Sequence, residues 1–115
     1  MKALHAYIRR HRAEHVIAAL VASGCRTFSI LDVRGIAHGA ADGELDYSVA
    51  LAQRVEHVVK IEIVANDADA ARWAPLVVQA AYTGHRGDGL VWIFPVDAAI
   101  RISTGVEGEP ALSDA

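Results

Sequence analysis

A single cysteine, Cys25, stands in 115 residues, which excludes an internal disulfide framework and leads us to expect a reducing compartment. Basic residues are not in excess either. Eleven Lys and Arg against fourteen Asp and Glu give a formal charge of −3, which offers no electrostatic footprint for nucleic acid. No apolar run approaches the roughly 20 residues of a membrane span. The opening residues pass from Met1–Tyr7 into Arg9, Arg10 and Arg12, without the charge, apolar and cleavage order of a secretory leader, so a cytoplasmic protein is expected. The run Gly84–Gly89 is followed by no Lys-Ser/Thr pair and is therefore not a P-loop. Trp73, Tyr82 and Trp92 lack the basic interleaving and spacing of a base-stacking platform, and are expected in a helix–sheet core or a subunit interface.

What is present is apolar. Hydrophobic residues make up 53% of the chain and the mean hydropathy is +0.24. The length fits one domain over residues 1–115. A chain of this size buries only about 60–70% of its unfolded surface, so the surplus of apolar residues points to an oligomer interface. Cys25 reads as a small apolar filler at a helix end.

Periodicity orders the elements. Residues 2–8 alternate loosely and predict a strand. From His11 to Ser23 the period lengthens: Ala13, Val16, Ile17 and Leu20 form one helical stripe, which Gly24 ends. Thr27–Val33 and Val58–Val64 are β-branched runs that predict strands. Ala68–Tyr82 predicts a second helix behind the capping pair Asn66-Asp67, with Pro75 expected to kink it or to belong to its first turn. Leu90–Phe94 predicts another strand, and Ala98–Ile102 a short closing element. The order βαβ, gap, βαβ is that of an α+β ferredoxin-like sandwich. Both helices would then cover one sheet face and leave the other apolar, a reason to oligomerise.

Between the second and third strands, residues 36–57 show no sustained period, and loops longer than about 12–15 residues are usually functional or disordered. We expect a long arm there, and a mobile tail from about residue 106 to 115.

Four pieces in this order, Ser29-Ile-Leu-Asp-Val-Arg-Gly35, Val59-Lys-Ile-Glu-Ile-Val64, Thr83-Gly-His-Arg-Gly-Asp-Gly89 and Arg101-Ile-Ser-Thr-Gly105, resemble the PII nitrogen-regulator family over essentially the whole chain. The resemblance implies a trimer with its sheets around a central axis and adenine nucleotides in the clefts between subunits. It implies a long loop that engages a partner protein, and no catalysis. It implies a nucleotide site drawn from Ser29, Gly35, His38, Glu62, Val64, Gly87, Asp88, Gly89, Arg101 and Ser103. Glycines at 87 and 89 would let backbone amides approach phosphate, and Arg101 would supply a forked cation.

The departures from the family pattern are informative. Leu90 stands where the family has a lysine, Ser103 where it has a second arginine, and His38 where it has a loop-base arginine. Each charge-assisted contact contributes about 1.5–3 kcal/mol, so ADP, AMP or a cyclic dinucleotide is expected rather than ATP, with Arg86 and His85 as partial compensation. Bicarbonate near Arg101 is a further expectation. Gly39 and Val58 replace the glutamine and lysine of the 2-oxoglutarate site, and Asp46–Leu51 replaces the run that holds the modified tyrosine, so both of those inputs are expected to be lost. The implied partners are a membrane transporter or a protein of carbon or nitrogen metabolism.

Two rivals come from other classes. His38 and His57, near opposite ends of the loop, could meet around a transition metal with help from Asp42, Glu44 and Asp46. His11-Arg-Ala-Glu14-His15 has the spacing of a zinc-enzyme helix, but both histidines lie off the apolar stripe, so a solvated helix face is expected.

Overall fold

The computed structural model describes residues 1–36 and 55–113, the side chains of 35, 36 and 55–57 excepted. The elements are β1 (Lys2–Arg9), a 3-10 turn (Arg10–Arg12), α1 (Ala13–Ala22), β2 (Ser29–Ile36), β3 (Val55–Ala65), α2 (Asp67–Ala81), β4 (Gly89–Pro95) and a second 3-10 turn (Glu109–Leu112). The strands form one sheet in the order β2-β3-β1-β4, antiparallel at every pairing. This is the expected ferredoxin-like α+β fold.

Alternation decides the faces. Leu4, Ala6 and Ile8 of β1 and Val59, Ile61, Ile63 and Ala65 of β3 are buried under the helices. From the helices, Val16 and Leu20 of α1 and Ala70, Trp73, Val77 and Ala81 of α2 complete that core. The α2 spacing of three, four and four residues keeps one face inward. Fully burying side chains such as Leu4, Ile61 and Ile63 contributes about 1.5–3 kcal/mol each.

Local chemistry sets the helix ends. Gly24 adopts φ 93°; its N–H donates to Val21 O (3.1 Å) and that of Cys25 to Leu20 O (2.9 Å), the paired bonds of a Schellman stop. No atom would crowd a Cβ at Gly24, so the left-handed backbone alone demands glycine there. The stop swings Cys25 into the core at 1% exposure, where burial pushes its thiol pKa up and keeps it protonated. At α2, the Asn66 side chain accepts from the Asp69 N–H at 2.8 Å, as an N-cap should. Pro75 lies within the helix, beyond the first turn. Pro75 and Ala71 are both exposed, where water can take the carbonyl that proline leaves unpaired.

Two expectations need correction. The strands reach further into the loop base than the sequence predicts: Ile36 pairs with Val55, Gly35 with Glu56 and Arg34 with His57, so residues 55–57 belong to β3. The tail is not loose from residue 106. Ile100 bridges Glu107, Gly108 N–H donates to Ala99 O at 2.9 Å, and Ala111 is buried; its glycine, glutamate and proline content reads as mobile because the contacts that fold it back come from outside it. The short closing element at 98–102 is accordingly half of a tight turn, with Gly105 N–H donating to Arg101 O at 2.7 Å.

Candidate functional site

The sheet face away from the helices was expected to be apolar, yet its middle is polar and aromatic. His5 and Tyr7 of β1 face Trp92 of β4, with ring centroids 5.6 and 5.1 Å apart, and His5 meets Phe94 at 4.8 Å. Lys60 lies 5.6 Å from the Tyr7 ring centre. Its Nζ is 3.5 Å from Glu62 Oε2, and His5 Nε2 is 3.1 Å from the same oxygen. Apolar surface remains around this cluster at Leu31, Val64 and Leu90.

The residues expected to bind nucleotide divide between the two ends of this sheet. At one end, Ser29, Glu62, Val64, Arg101 and Ser103 all line a single cavity of about 760 Å³. Ser29 and Glu62 are cross-strand partners, and the 100–107 turn carries Arg101 and Ser103 over them. Arg101 donates through Nε to Ala111 O at 2.9 Å; its Nη atoms have no partner among the described residues. His5, Phe28, Ile100 and Leu112 add to the wall. Periodicity placed His5 only within a strand, and nothing in the sequence linked it to Glu62 57 positions later.

Gly35, Gly87, Asp88 and Gly89 lie at the other end. Gly89 pairs with Ile8 and Val64 with Ala3, five residues apart on β1, or roughly 17 Å at about 3.4 Å per residue. The two groups therefore do not meet within one chain. The Asp88 carboxylate is consumed internally. It accepts from Arg9 Nε (3.0 Å), Thr83 N (2.7 Å), Gly84 N (3.0 Å) and the Thr83 hydroxyl, while Arg9 Nη2 donates to Arg86 O. The Thr83 hydroxyl first, then its N–H, hold the Asp88 pKa far below the usual carboxylate range. Asp88 thus shapes the 83–89 loop from behind. Gly89 has φ +116°, and a Cβ there would sit 1.8 Å from Tyr7 O, so only glycine lets this loop enter β4.

His38 lies outside the described residues, as do Asp42, Glu44 and Asp46. Among the described residues no group of three or more His, Cys, Asp or Glu could hold a metal ion. His11 sits in the 3-10 turn and Glu14 and His15 in α1, all three exposed. No helix among the described residues is long and apolar enough to cross a membrane.

Comparison with known proteins agrees with this architecture. The family model described as "Nitrogen regulatory protein P-II" matches residues 1–106. Nitrogen regulatory protein P-II 2 of Methanothermobacter thermautotrophicus is 37% identical over 116 residues, covering 97% of each chain. Nitrogen regulatory protein P-II of Cereibacter sphaeroides is 35% identical over 112 residues, covering 97% of this chain and 100% of that one. Among solved structures, Arabidopsis thaliana PII bound to citrate superposes with a TM-score of 0.79 at 28% identity, covering 99% of this chain and 91% of that chain.

Proposed function

The chain belongs to the nitrogen regulatory protein P-II family, whose members are regulatory proteins and not enzymes, and from that premise we propose that it is a trimeric sensor of a short adenine nucleotide. ADP or AMP occupies the cleft between neighbouring subunits, and the segment between β2 and β3 carries the state of that cleft to a partner protein. The observation that carries this reading is the division of the site. The cavity with Arg101 and the glycine-rich 83–89 loop lie at opposite ends of one sheet, so one ligand can touch both only if one subunit's cavity meets another's loop. Such a head-to-tail contact closes into a ring under cyclic symmetry.

Charge supports the choice of nucleotide. Of the cationic positions in the family pattern, the cavity keeps Arg101, while Ser103 in its wall and exposed Leu90 are neutral. Two missing charge-assisted contacts at about 1.5–3 kcal/mol each weaken a triphosphate by a hundredfold or more. A small carboxylate or bicarbonate beside Arg101 is the companion ligand we favour; the citrate held by the Arabidopsis relative supports anion recognition in this fold. A transporter or a protein of carbon or nitrogen metabolism is the partner class. The ligand acts by population shift, to the extent that it binds one arrangement of the β2–β3 segment better than another.

Calorimetric titration with ATP, ADP, AMP and cyclic dinucleotides, each with and without bicarbonate, tests the reading, alongside sedimentation equilibrium for the trimer. Saturable ADP or AMP binding that Arg101→Ala weakens about ten- to a hundredfold is the expected result. A monomer at micromolar concentration, or silence across the nucleotide panel, would overturn it.

A further inference from the structure

We propose that Arg9 aims the 83–89 loop at the ligand: by holding the Arg86 carbonyl from behind, it turns the Gly87 N–H outward as a phosphate donor. This inference rests on the reading of that loop as the phosphate contact of the proposed nucleotide cleft.

Most of the loop's backbone donors are already used internally. The N–H groups of Thr83 and Gly84 go to the Asp88 carboxylate, at 2.7 and 3.0 Å, and that of His85 goes to the Thr83 hydroxyl oxygen at 3.2 Å. The N–H groups of Arg86 and Gly87 have no partner among the described residues, and both residues are exposed. Successive free N–H groups in a turn form an anion-binding concavity, provided that they face the anion.

One peptide plane decides how the Gly87 group faces. Gly87 stands at φ 93°, the left-handed region that the third residue of a type II turn occupies. Rotating the 86–87 peptide converts such a turn toward type I, and glycine permits both. In a trans peptide the C=O and the following N–H point in opposite directions, and no cis bond occurs among the described residues. Fixing the Arg86 oxygen on one side therefore fixes the Gly87 hydrogen on the other.

Arg9 is placed to do the fixing. It pairs with Val58 of β3, one residue past the Ile8–Gly89 pair at which β4 begins. Where the β4 ladder is missing, the guanidinium reaches across: Nη2 donates to Arg86 O, and Nε to Asp88 Oδ1 at 3.0 Å. A planar fork serves both acceptors at once, which a lysine ammonium on its flexible stem does not reproduce. The side chain is only 21% exposed, and the Asp88 carboxylate offsets its charge. Arg9 thus acts on the ligand through the loop, as a positioning residue.

The test is calorimetric titration of the full chain with ADP and with adenosine, for wild type, Arg9→Gln and Arg9→Lys. Adenosine has no phosphate and reports the rest of the cleft. We expect Arg9→Gln to bind ADP about tenfold more weakly than wild type, as for one lost charge-assisted hydrogen bond, with adenosine unchanged. Arg9→Lys can still meet Asp88 but not the Arg86 carbonyl as well. It should share most of the ADP loss, and it carries the test alone if Arg9→Gln does not fold. Amide NMR adds a direct reading: ADP moves the Gly87 N–H resonance downfield in wild type, and neither variant shows that movement. Equal weakening of ADP and adenosine, full ADP affinity in Arg9→Lys, or a Gly87 resonance that ADP leaves in place would each overturn the positioning role while the cleft stands. Silence of wild type toward ADP would overturn the cleft reading and the positioning role with it.

Discussion

At the Gly89 end of the sheet four donors converge on the Asp88 carboxylate, whereas at the Ser29 end separate contacts, Arg101 to the Ala111 carbonyl and Gly108 N–H to the Ala99 carbonyl among them, hold the tail beside a cavity of about 760 Å³. The first end has its polar atoms satisfied and its backbone fixed by a glycine that has no room for a side chain. The second keeps polar groups facing open space. Preorganised backbone on one side and adaptable side chains on the other suit the nucleotide cleft proposed above. The two ends tolerate change differently for the same reason.

Gly89→Ala should break the rigid end outright. A Cβ 1.8 Å from Tyr7 O must displace backbone, and we expect a loss of about 3 kcal/mol or more, read as a fall in Tm or failure to express folded protein. Arg101→Ala attacks the adaptable end. Here the expected loss is in ligand affinity, about ten- to a hundredfold for ADP, together with faster amide exchange over residues 106–112. The converse experiment sharpens the contrast: Leu90→Lys combined with Ser103→Arg should restore two cations and raise ATP affinity at least tenfold, with little change in melting behaviour.

The Asp88→Asn change is the subtlest. The native carboxylate has a depressed pKa, so its contribution is fully present above the unfolded value of about 3.9 and is lost as the pH falls through the lower native one. We expect Asp88→Asn to lower Tm modestly at pH 7. It should also flatten the decline of stability below about pH 4 relative to wild type. Parallel declines in the two proteins would show that Asp88 does not brace the loop.

The sheet and both helices were legible because their signals are local and repeated. Val58–Val64 alternates for as long as it stays half-buried, and Ala70, Trp73, Val77 and Ala81 keep one helical face. Asn66 and Gly24 marked the helix ends through their own chemistry. The site was legible only as one list of residues, which the fold divides between the two ends of the sheet. Nothing in periodicity says that Arg101 reaches ten residues on to the Ala111 carbonyl or that Gly108 donates to Ala99 O, and such contacts turn a tail of mobile composition into part of a cavity wall. His5 escaped notice for a related reason: its partner is set by the register of β1 against β3, which pairs it with Glu62, and register is a property of two strands. Asp88 entered the expected site only through the family resemblance. In the fold it faces back toward Arg9 and Thr83.

The strand order has a consequence for how the chain is born. β1 occupies the middle of the sheet, yet its two partners are β3 and β4, with Lys2 paired to Ala65 on one side and to Pro95 on the other. β1 therefore leaves the ribosome before either of its partners, and Leu4, Ala6 and Ile8 travel exposed until β3 and β4 have been made. Such non-local pairing slows folding, on the order of milliseconds to seconds for sheets of this kind. Until then the nascent chain carries an open apolar edge, the kind of segment that chaperones bind and that aggregates when they are scarce.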